Sequence, residues 1–157
     1  MKALIVYFSR TGHTKKVGDE LANALTGDVE EIVDTANRSG PVGWLMSGRE
    51  GSGRKLAKIE PAKKDASQYD IVVIGTPIWA GNMSSPVRTY LTENKAKLKN
   101  VAYFCTAGSG TGSEKTFAGM EEVVGKKPKV MLVITMADIR AGTASEKVKK
   151  FAADLKV

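Results

Sequence analysis

The chain is poor in the residues that build metal centres and thiol chemistry. It has one cysteine, Cys105, and one histidine, His13. One cysteine excludes an internal disulfide, and the pair supplies neither a zinc-ligand cluster nor a cysteine–histidine nucleophile. No apolar run approaches the roughly 20 residues needed to cross a bilayer. The chain enters a strand directly from Met1, which leaves no space for a signal peptide and sets a cytoplasmic location as the expectation. Aromatics are few and are not interleaved with the basic residues, so a single-stranded nucleic-acid surface is not expected. No internal repeat or low-complexity stretch is present.

What is present suits one globular domain over 1–157, with a hydrophobic share of 42% that is ordinary for a buried core. The formal net charge is +7. An excess of that sign attracts an anionic cofactor, an acidic protein or a nucleic acid. Much of it lies in Lys95, Lys97, Lys99, Lys147, Lys149, Lys150 and Lys156, on expected helix faces where lysines are simply solvated.

The most informative stretch is Ser9-Arg10-Thr11-Gly12-His13-Thr14. An apolar strand, Lys2 to Phe8, leads into it. A helix follows, with Val17, Leu21, Ala24 and Leu25 at helical spacing and Gly27 as its expected left-handed stop. Strand, hydroxyl-rich loop and helix start is a geometry that holds phosphate. The free amides of a first turn point at the anion, and a glycine lets the backbone come close. A helix cap is the plainer reading, but one cap uses one hydroxyl and here three flank a glycine.

The rest of the chain repeats the alternation. Asp28 to Val33 reads as an edge strand, and Asp70 to Gly75 as a strand buried on both faces. Helices follow at Ser85-Pro86, with Ser85 as cap, through Phe117, Met120 and Val124, and from about Thr143 to the end. Val101 to Cys105 and Lys129 to Met136 supply the last two strands, and Cys105 reads as a small buried hydrophobe. Five strands alternating with helices argue for a doubly wound parallel α/β sheet with helices on both faces. The long connection 37–61 carries five glycines, an apolar cluster Val42 to Met46, and Arg49, Arg54, Lys55 and Lys58. It reads as a short helix over about Val42 to Ser47 packing Trp44 and Leu45 on the sheet, or else as a lid or docking surface.

Three loops of small or hydroxyl residues follow the first, third and fourth strands, and a parallel sheet brings all three to one edge. Thr76-Pro77-Ile78-Trp79-Ala80-Gly81-Asn82 offers backbone groups and one indole able to stack on a conjugated ring. Thr106-Ala107-Gly108-Ser109-Gly110 has no bulky side chain, so a flat ligand could lie against its backbone. A phosphate at one end and a planar ring at the other describe a flavin mononucleotide.

These three stretches resemble the phosphate loop and the two flavin loops of the flavodoxin family, in order along essentially the whole chain. The resemblance implies a five-stranded sheet in order 2-1-3-4-5, non-covalent FMN, and one- or two-electron chemistry at its ring. By position, Ser9, Thr11, Gly12, His13 and Thr14 would hold the phosphate, with Arg10 in the same loop. Thr76 to Asn82 would flank the ring, Trp79 stacking on it or closing over it, and Thr106 to Gly110 would border its pyrimidine side. No residue is singled out as catalytic. Two departures stand out: a basic chain in a family of acidic carriers, and a third loop without an aromatic. The second leaves one ring face open to a substrate or to Trp44. The implied partners are a redox protein or a small acceptor such as a quinone. An FMN-dependent NAD(P)H:quinone or flavin reductase is the alternative, and a non-flavin phosphate or nucleotide binder stands behind both.

Overall fold

The computed structural model describes residues 1–157. The unbroken aliphatic runs become the inner strands, because only a sheet covered on both faces buries every side chain of such a run. These are β1 (Ala3–Tyr7), β3 (Ile71–Trp79) and β5 (Val101–Ala107). β2 (Asp28–Glu31) and β6 (Met131–Thr135) flank them. The parallel order is β2-β1-β3-β5-β6, and a two-residue strand, β4 (Asn82–Met83), folds back antiparallel on the end of β3. Leaving β4 aside, the five parallel strands stand in the order 2-1-3-4-5.

The pleat sorts alternate residues into two cores. Leu4, Val6, Val72, Ile74, Tyr103 and Cys105 face α3 (Ser85–Asn94) and α4 (Ser113–Val124). Ala3, Ile5, Tyr7, Ile71, Val73 and Phe104 face α1 (His13–Leu25) and α6 (Ala144–Leu155). Each large side chain buried there is worth about 1.5–3 kcal/mol, so the inner strands anchor everything attached to their ends. Gly75, in the middle of β3, is required by its neighbour: a Cβ there would lie 1.9 Å from the Phe104 ring. The lysines named above on helix faces are all exposed.

Several boundaries differ from the sequence reading. The left-handed residue ending α1 is Thr26 (φ 49°), not Gly27. Gly27 is needed for space instead, since its Cβ would meet Ile5 Cδ1 at 2.6 Å. Ser84 rather than Ser85 caps α3, with Pro86 in the first turn. The last strand stops at Thr135, and Met136 opens a short helix, α5 (Met136–Ala141). Thr135 Oγ1 accepts from the Asp138 amide (3.2 Å) while Asp138 Oδ2 accepts from the Thr135 amide (2.9 Å), a reciprocal cap that ends the strand.

The largest difference is in 37–61. The helix there, α2, runs Gly40–Ser52, well past Ser47. Trp44 and Leu45 do not pack on the sheet; they are 67% and 66% exposed. The buried face is Gly43, Ser47 and Gly51, one residue per turn. It docks so closely that a Cβ on Gly43 would lie 2.2 Å from the Arg38 carbonyl oxygen, and one on Gly51 2.4 Å from that of Trp79.

Candidate functional site

The loops after β1, β3 and β5 meet at the carboxyl edge of the sheet, around a cleft of about 480 Å³. In the first loop, Gly12 takes φ 100°, and no side chain caps α1. No acidic residue stands in its first turn either, so the leading amides keep both their hydrogens and their partial positive charge. Arg10, Thr11, His13 and Thr14 line the cleft; Ser9 and Gly12 do not. Ser9 Oγ accepts from the Gly12 amide (3.0 Å) and so shapes the loop from behind. Thr14 is buried, and its hydroxyl shares a 2.7 Å hydrogen bond with that of Thr106, tying the first turn of α1 to the end of β5. Arg10 reaches sideways: Nε donates to the Arg38 carbonyl (2.9 Å) and Nη2 to that of Gly40 (3.1 Å). Its charge steadies the start of α2 as well as bordering the cleft.

Of the predicted second loop, Thr76 to Trp79 prolong β3 and Asn82 opens β4, leaving only Ala80 and Gly81 as turn; Pro77, Ile78, Trp79 and Ala80 line the cleft, and Thr76, Gly81 and Asn82 do not. Thr76 is structural: its hydroxyl donates to the Pro77 carbonyl (2.8 Å) and accepts from the Ser84 amide (2.9 Å). Asn82 Nδ2 donates to the Gly51 carbonyl (2.9 Å), pinning α2. Ala80 and Gly81, both at positive φ, make the tight turn between β3 and β4. From the third loop, Thr106, Ala107 and Gly108 line the cleft, while Ser109 and Gly110 lie outside it.

Trp79 is not the free indole wall the sequence suggested. It is only 6% exposed, its ring meets the Phe8 ring edge-on at 5.5 Å, and the Arg38 guanidinium lies 4.9 Å from its centroid. The exposed indole at the cleft is Trp44 of α2, joined there by Ser47 and Gly48. Ile134 of β6 and Met136 and Ile139 of α5 add apolar side chains to the lining. Asp138 holds α5 in place, and the hydrogen bonds from Thr135 and then Lys147 draw its carboxyl down to about 2.

Arg38 is the residue that sequence reasoning missed altogether. It is buried, and its guanidinium pairs with Asp34 and, through both terminal nitrogens, with Glu50. It also donates to Ser85 Oγ (3.3 Å). Burial alone would lower its pKa; the hydrogen bonds to Glu50 and Asp34 outweigh that and raise it. A lone arginine amid glycines carries no pattern, so nothing in the sequence marks it as buried.

The family pattern described as Flavodoxin matches residues 2–151. The chain belongs to the flavodoxin family. Among solved structures, a flavoprotein in complex with FMN from Lactobacillus acidophilus NCFM superposes with a TM-score of 0.73 at 22% identity, over 90% of this chain and 98% of that one. A flavodoxin from Streptococcus pneumonia TIGR4 gives 0.62 at 18%, over 99% and 98%. At such identities these two establish the shared fold. NAD(P)H dehydrogenase (quinone) 3 of Rhizobium meliloti (strain 1021) is 29% identical over 124 residues. That match covers 73% of this chain but only 57% of the relative's length. The lining residues outside the three predicted loops come from two places: Ser47 and Gly48 stand beside Trp44 on α2, in the connection that the sequence reading left open as helix or lid, and Ile134, Met136 and Ile139 come from β6 and α5.

Proposed function

We propose that this flavodoxin-family chain binds FMN in the cleft and works as a cytoplasmic electron-transfer protein. The observation that carries the reading is the uncapped N-terminus of α1, opening into a cleft that is otherwise lined largely by apolar side chains and by the exposed Trp44 indole. The cleft volume lies within the range that takes a small cofactor. FMN would supply reversible one- and two-electron transfer at its isoalloxazine ring. The chain's own residues bind and position it. The first-turn amides of α1, the Thr11 hydroxyl and the spare proton of the Thr14–Thr106 pair are the donors for the phosphate. Trp44 is the ring available for stacking. Ile78, Met136 and Ile139 exclude water from the apolar lining.

The alternative is a reductase passing electrons from NAD(P)H to a quinone or similar small acceptor. It is favoured by the named activity of the Rhizobium meliloti relative, and the partial coverage of that relative keeps it second. Two measurements decide. Thr11→Ala with Thr14→Ala is expected to weaken FMN by about 10- to 100-fold for each hydroxyl that donates to the phosphate, and riboflavin hardly at all. Equal losses for both ligands would remove the phosphate from this loop. Steady NAD(P)H oxidation with a quinone, and no added reductase, would replace the carrier by the enzyme.

A further inference from the structure

α2 is inside out. Its inward positions are Gly43, Ser47 and Gly51, while Val42, Trp44 and Leu45 are 80%, 67% and 66% exposed. Helices on a globular surface ordinarily turn such residues to the core. Trp44 borders the cleft, but nothing covers Val42 or Leu45. Beyond them stand Arg49, Arg54, Lys55 and Lys58, all exposed and none in an ion pair. The sole acid between Asp34 and Glu60 is Glu50, which Arg38 already engages.

A fifth cation joins them from α3. Thr89 pins the stretch after α2 by donating to the Ala57 carbonyl (2.8 Å) and accepting from the Ala57 amide (2.9 Å). This holds Arg54 near Arg88, whose Nε is buried without a partner. Burial, then the Arg54 charge, lower the Arg88 guanidinium, and Glu122 offsets this only in part. Neither arginine is in an ion pair, and their like charges oppose each other.

We propose that the outward face of α2, with Arg49, Arg54, Lys55, Lys58 and Arg88, is the docking surface for an acidic redox protein. Carboxylates of that partner pair with Arg54 and Arg88, and its apolar side chains cover Val42 and Leu45. The proposal rests on the electron-transfer reading, and it seats the partner against the wall of the cleft. A second copy of this chain is disfavoured by the charge of +7, which would set cations against cations.

The test uses the FMN-loaded, reduced protein in stopped flow, with the haem domain of cytochrome b5 as acidic acceptor and cytochrome c as basic acceptor. The rate constant for cytochrome b5 is expected to fall about tenfold or more as salt rises from about 0.01 M to about 0.5 M, and that for cytochrome c to rise. Arg54→Glu with Lys55→Glu should cut the cytochrome b5 rate about tenfold at low salt. Leu45→Ser should lower it without changing its salt dependence. FMN affinity and visible spectrum should stay unchanged in these variants. A cytochrome b5 rate indifferent to salt and to both changes would overturn the proposal. So would sedimentation with phosphatidylserine vesicles, or dimerisation, that Leu45→Ser abolishes. Failure to take up FMN at all would overturn the earlier reading instead. The docking surface is then tested alone, by titrating the protein with cytochrome b5 at low salt; no association would sink it.

Discussion

Replacing Arg38 by methionine removes the charge while keeping length and an apolar contact for the Trp79 ring. Asp34 is 5% exposed at its side chain and Glu50 20%, so the substitution strands two carboxylates in a space built for a cation. Breaking a buried ion pair from one side costs about 3–5 kcal/mol, because the surviving charge keeps its desolvation penalty without its partner. A further loss of about 1 kcal/mol comes from the cation over the indole. Arg38→Met is therefore expected to lose about 4–6 kcal/mol, read as a fall of about 2–3 M in the urea midpoint at an unchanged slope. Neutralising the stranded acids, with Asp34→Asn and Glu50→Gln added to Arg38→Met, should recover more than half of it. A loss under about 1 kcal/mol would show that the clasp is solvated in solution. A full loss with no recovery in the triple variant would assign the cost to packing rather than to buried charge.

Gly51→Ala is expected to destabilise by about 1–3 kcal/mol and to weaken FMN, since its Cβ would lie 2.4 Å from the Trp79 carbonyl oxygen and backbone must move; Gly48→Ala, inside the same helix with nothing within 4 Å, should stabilise by about 0.5–1 kcal/mol in the same melts. Asp138 titrates near 2 against an ordinary 3.8, so its contribution is complete above about pH 4 and is lost as pH falls through 2. Asp138→Asn should accordingly flatten the decline of stability between those pH values, measured by urea unfolding. Burial pushes the Cys105 thiol up to about 12 and leaves it inaccessible, so a thiol reagent at pH 8 should label it only after denaturant is added.

The parallel sheet and the rim where the loops gather were legible in the sequence, for a physical reason; the order of the strands came only from the resemblance to the flavodoxin family. A run such as Ile71 to Ile74 can be buried on both faces only in a covered parallel sheet, and parallel strands send every following loop to one edge. The hydroxyl-rich glycine turn before α1 was legible likewise, because strand, turn and helix start follow from local residues; that no side chain caps the helix was not. The cap that opens α5 was also written locally, in Thr135-x-x-Asp138, but the aliphatic run before it concealed where the strand ends.

Tertiary structure alone decided which tryptophan is free. Both indoles stand among glycines in the sequence; what separates them is that Gly43, Ser47 and Gly51 let α2 lie directly on the backbone of Arg38 and Trp79. That contact buries Trp79 beneath Arg38 and turns Trp44 outward to the cleft. Periodicity records which residues are apolar. It does not record how close two backbones can come, and here that distance sets the wall of the site.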